Sequence, residues 1–80
     1  VLGSVPDLSR NEVEAAIVFA ENAMHEWQKT TCLERSKILR RWHGLLLDNL
    51  EELALLLTLE QGKPLPEARG EILYGASYIE

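Results

Sequence analysis

Eighty residues leave room for one small domain, and 46 % hydrophobic with 26 % charged side chains is the balance of an ordered globular protein, which excludes a disordered chain. Thirteen acidic against eight basic side chains give a formal net charge of −5, which repels a phosphate backbone and argues against nucleic-acid binding. The single cysteine, Cys32, excludes an internal disulfide and points to a reducing compartment such as the cytoplasm. No apolar run approaches the roughly 18 residues of a membrane span, and no basic stretch followed by an apolar one marks a secretion signal.

In chain order, Val1 to Pro6 reads as a short extended tail: Val1, Leu2 and Val5 suit a strand, whereas Gly3, Ser4 and Pro6 interrupt pairing. Ser9 and Glu12 then form S-x-x-E, a capping box in which each side chain satisfies the other residue's backbone N–H, with Leu8 and Val13 at the staple positions around it. Val13, Ala16, Ile17, Ala20, Met24 and Trp27 recur at helical offsets, which predicts a helix from Arg10 to Gln28 or Lys29 with one apolar face. A second box, Thr31 with Glu34, starts a helix whose inward face would be Ile38, Leu39, Trp42, Leu45 and Leu46. Asp48 and Asn49 are poor helix formers and good caps, and Asn49 with Glu52 makes a third candidate box, so a break is expected there. The third helix would turn Leu50, Leu53, Ala54 and Leu57 inward, with Glu51 and Glu52 at its positive end.

Gly62 is placed to end the third helix, and Pro64 and Pro66 stiffen the connector after it. Pro66 suits the first position of a fourth helix, with Leu65, Ala68, Ile72, Ala76 and Ile79 as its apolar stripe. No cap closes that helix before Glu80, and the chain starts at Val1 instead of a methionine, so both ends are expected to be cuts in a longer protein. The expected class is therefore all-α, about four helices after an extended tail, without an internal domain boundary over 1–80.

Candidate chemistry is sparse. Cys32 would occupy the first turn of the second helix, where a thiol pKa can fall, but no base lies near it in sequence and Glu34 opposes the thiolate, so it reads as structural. His25 and His43 lie on different helices without Cys or Asp partners to complete a metal set; His25 reads as packed beside Trp27 and His43 as a surface residue. Gln61-Gly62-Lys63-Pro64 lacks the earlier glycine and the Ser or Thr after lysine that a phosphate loop needs. Trp27, Trp42, Tyr74 and Tyr78 read as core or rim, and Arg35, Lys37, Arg40 and Arg41 as a solvated surface. Gly70 and Gly75 inside a helix each cost about 1 kcal/mol relative to alanine, which implies close packing against something.

One stretch is far more specific. Glu60-Gln61-Gly62-Lys63-Pro64-Leu65-Pro66-Glu67-Ala68-Arg69-Gly70-Glu71-Ile72 resembles the E-x-G-K-P-L-x-E-A-x-G-E-I segment of the aldehyde dehydrogenase superfamily, most of all its bacterial succinate-semialdehyde branch. Leu2-Gly3-Ser4-Val5-Pro6 resembles that family's strand tail and Trp27 its helix-ending tryptophan. Glu34-Arg35, Leu39-Arg40 and Trp42 resemble its E-R-x-x-x-L-R-x-W pattern, and Tyr74 with Tyr78-Ile79-Glu80 its next helix. The resemblance spans essentially the whole chain.

The resemblance implies a parent of α/β fold with a Rossmann-type cofactor domain, of which residues 1–80 are the N-terminal helical part. It also implies oxidation of succinate semialdehyde to succinate with NAD or NADP, by a homo-oligomer. In such enzymes a catalytic cysteine attacks the aldehyde, hydride passes to the nicotinamide, and glutamate-activated water releases the acid. The family's catalytic cysteine and glutamate lie in motifs downstream of the matched region. No catalytic, cofactor-binding or metal residue is therefore carried over to this chain, and its partner is expected to be the remainder of the enzyme. The competing expectations are a glutarate-semialdehyde or other aldehyde dehydrogenase, and a free-standing helical interaction module without activity.

Overall fold

The computed structural model describes all residues 1–80 as four helices without a strand: α1 Arg10–Trp27, α2 Cys32–Asp48, α3 Leu50–Gln61 and α4 Leu65–Ser77. Residues 1–9 carry no regular secondary structure. The chain divides into two units, Val1–Cys32 and Leu33–Glu80.

In the first unit, α1 starts on the expected box. The Ser9 hydroxyl accepts from the Glu12 N–H at 3.3 Å while the Ser9 N–H donates to Glu12 Oε1 at 3.2 Å, so two otherwise unpaired amide donors are satisfied. The helix closes at Gln28, and the Lys29 and Thr30 N–H groups donate to Glu26 and Trp27 carbonyls in a tightened last turn. Exposed pairs Arg10–Glu14 and Glu26–Lys29, one and nearly one helical turn apart, decorate its polar side. The apolar stripe of α1 is not a core, however. Val13, Ile17, Met24 and Trp27 remain exposed and no residue of α1 is buried. The physical reason is local: α1 is the only helix of its unit, so that unit offers no second apolar surface to cover the stripe.

Helix α2 begins directly after Thr31, belongs to the second unit from Leu33 onward, and ends at Asp48, with the expected break at Asn49. The third capping box does not form. Asn49 has φ −104° and ψ 16°, which is not the extended geometry of an N-cap, and its side chain makes no cap bond to α3. Its Nδ2 instead donates backwards to the Leu45 carbonyl at 2.8 Å, closing α2 rather than opening α3. The inward face expected for α2 is also largely outside, with Ile38, Leu39, Trp42 and Leu45 exposed and Leu46 half-buried.

The core of this unit lies between α3 and α4. Gly62 adopts φ 73°, the left-handed conformation that a Cβ disfavours, and its N–H donates to the Thr58 carbonyl at 2.8 Å to end α3. Pro64 then caps α4 with φ −57° and ψ 139°, so α4 begins at Leu65, one residue earlier than expected, and Pro66 takes its second position. The absent N–H of Pro66 costs nothing there, because first-turn amides have no partner within a helix. Ala54, Ala68 and Ala76 are the fully enclosed residues, and Leu65, Ile72 and Ile79 of the expected stripe are half-buried beside them. Alanines at the contact let two backbones approach closely, as bulkier side chains would not. α4 also stops sooner than expected, at Ser77: the Ser77 hydroxyl donates to the Tyr74 carbonyl at 2.6 Å, and Tyr78 and Ile79 N–H groups bond carbonyls three residues back.

Candidate functional site

The turn between α3 and α4 is the best-built feature of the chain, and its side chains explain why these residue types occur there. Lys63, released from α3 by the Gly62 turn, pairs with Glu71 two turns into α4. Arg69 lies across from the start of α3, and its Nε donates to both oxygens of Glu51 at 2.9 and 3.1 Å. The first pair is local, eight residues apart, and fastens the turn to α4, whereas the second, 18 residues apart, joins α4 to α3. Both are solvent-accessible, Arg69 and Glu51 at 40 % and 67 %, so each is worth at most about 1 kcal/mol. On α3, Thr58 buries its hydroxyl oxygen without a hydrogen-bond partner, a local cost within that helix.

His43, expected on the surface, is not there. It is half-buried on α2, with Nδ1 2.9 Å from the Ala76 carbonyl of α4. A carbonyl only accepts, so Nδ1 carries the proton and His43 ties α2 to the far end of α4. A single half-buried histidine between leucine-rich helices gives no sequence signal for such a bond, because the 33-residue separation is bridged only by the tertiary fold.

The other candidates stay apart. Cys32 is exposed at the first residue of α2, and His43 lies about three turns further along that helix, so they do not form a nucleophile–base pair. His25 is exposed in the last turn of α1. No three His, Cys, Asp or Glu side chains converge as a metal site would require. Lys37, Arg40 and Arg41 are exposed as expected, and Arg35 is half-buried. The tyrosines are neither core nor rim: Tyr74 and Tyr78 are exposed at 64 % and 74 %, one helical turn apart. Their rings meet edge-to-face at 5.1 Å and their hydroxyls lie 2.5 Å apart. The hydrogen bond with Tyr74, with a smaller contribution from desolvation, raises the pKa of the Tyr78 phenol. Trp42 is exposed and, with Leu45, Leu46, Asn49, Glu52, Leu53 and Leu56, lines a mainly apolar groove of about 270 Å³ between α2 and α3.

In the Gly62-Lys63-Pro64 turn the Gly62 N–H donates to the Thr58 carbonyl, the Lys63 ammonium pairs with Glu71, and Pro64 has no N–H. The turn is a structural joint, and the side chains around it hold helices together.

No solved structure matches this chain. Among curated proteins it is 52 % identical over 79 residues to the NADP(+) succinate-semialdehyde dehydrogenase of Escherichia coli, covering 99 % of this chain and 16 % of that protein. It is 48 % identical over 80 residues to the glutarate-semialdehyde dehydrogenase of Pseudomonas aeruginosa (100 % and 17 %). It is 51 % identical over 79 residues to the mitochondrial succinate-semialdehyde dehydrogenase of Oryza sativa subsp. japonica (99 % and 15 %). The chain thus spans about one sixth of the length of the relatives it matches. The model of the aldehyde dehydrogenase family matches residues 1–80, the whole of the sequence, and the chain belongs to that family.

Proposed function

We propose that this chain is an N-terminal scaffold segment of a semialdehyde dehydrogenase that oxidises succinate semialdehyde to succinate with NAD or NADP. The observation that carries the reading is the 52 % identity to the Escherichia coli succinate-semialdehyde enzyme over nearly the entire chain. The build of the Glu60–Ile72 motif supports a scaffold role: Gly62 turns the chain, and Lys63, Glu71 and Arg69 are engaged in ion pairs that fasten α4. Catalytic cysteine, general-base glutamate and dinucleotide contacts are assigned to other parts of the protein, and no catalytic, cofactor or metal residue to residues 1–80.

The four helices then form the early helical part of the cofactor-binding domain of an α/β enzyme. The exposed apolar faces of α1 and α2, with Ile17, Phe19, Met24, Ile38, Trp42 and Leu45, support docking on the rest of that protein. The complete enzyme is expected to be a homo-oligomer in the cytoplasm, and no helix here is long and apolar enough to cross a membrane. The second substrate reading is glutarate semialdehyde, favoured by the 48 % identity to the Pseudomonas aeruginosa enzyme.

The test compares the complete protein with the 80-residue chain, following reduction of NAD and of NADP with succinate and glutarate semialdehydes. The complete protein should have the higher kcat/KM for succinate semialdehyde, and the chain alone should show no turnover. A higher kcat/KM for the five-carbon substrate would transfer the assignment to glutarate semialdehyde. Turnover by the chain alone would overturn the scaffold reading, and inactivity of the complete protein on both substrates would overturn the activity.

A further inference from the structure

We draw no further inference here: the strongest candidate, the apolar groove between α2 and α3 lined by Trp42, Leu45, Leu46, Leu53 and Leu56, carries nothing because nothing in the structure shows what covers it.

Discussion

Replacing Gly70 by alanine separates the properties of this chain from those of the protein it is proposed to build. Gly70 lies inside α4 and has an ordinary helical backbone, because Gly62 is the only residue with positive φ. A Cβ built there meets nothing within 4 Å. Alanine therefore adds no clash in this chain and removes unfolded-state freedom, which stabilises by about 0.4–1 kcal/mol. In an 80-residue chain that unfolds cooperatively, 1 kcal/mol corresponds to about 4–8 °C in Tm. The complete enzyme should behave differently if the glycine face of α4 is packed against a neighbouring element, as the cost of two helical glycines suggests. An added methyl would then meet a filled surface, with an overpacking cost of about 1–3 kcal/mol that offsets or reverses the gain. The assay is thermal and urea unfolding of Gly70→Ala in both proteins, followed by circular dichroism, with residue-resolved amide exchange in α4 where the melt is broad. A gain in the chain with a loss or no change in the enzyme is expected. Equal stabilisation in both would refute the covered-glycine argument, and destabilisation of the chain alone would refute the open space around Gly70.

Three further outcomes are tied to particular contacts. His43→Ala should lower the stability of the second unit by about 1 kcal/mol through loss of the bond to the Ala76 carbonyl, and should speed amide exchange at the end of α4 before that in α3. A double-mutant cycle on Glu51 and Arg69 should return a coupling of about 0.2–1 kcal/mol that shrinks with added salt, since both side chains are solvent-accessible; a salt-independent coupling would mean the pair is shielded. Tyr74→Phe removes the hydroxyl that raises the Tyr78 pKa, so ultraviolet titration should place Tyr78 ionisation at lower pH than in the parent sequence, and an unchanged or higher midpoint would count against the hydroxyl pair.

Sequence signals of the same kind have different outcomes in this chain. Ser9 with Glu12 and Asn49 with Glu52 both have cap-x-x-Glu spacing, yet only the first forms a box. Ser9 follows an irregular segment and can take the extended conformation an N-cap needs, whereas Asn49 comes after α2 at a single-residue break and bonds back to it. Likewise the stripes of α1 and α4 have the same kind of periodicity, but only α4 finds a partner within its own unit. Periodicity identifies an apolar face; it does not identify what covers that face.

Residues alone determined much of what is carried by backbone chemistry over a few positions: four helices, the break at Asn49, the end of α3 at Gly62, and the start of α4 within one residue of Pro66, but not the failed box at Asn49 or the end of α4 at Ser77. The same local string, Glu60 to Ile72, also carried the family, because a turn that must hold a glycine, prolines and clamping charges in fixed order leaves little freedom in its sequence. Tertiary structure alone decided which faces are buried, that His43 reaches the Ala76 carbonyl, and that Glu51 meets Arg69. Those outcomes depend on the positions of whole helices, which no short-range propensity encodes. The enclosure of Ala54, Ala68 and Ala76 rests on both: helical spacing put the alanines on the right faces, and packing of α3 on α4 excluded the water.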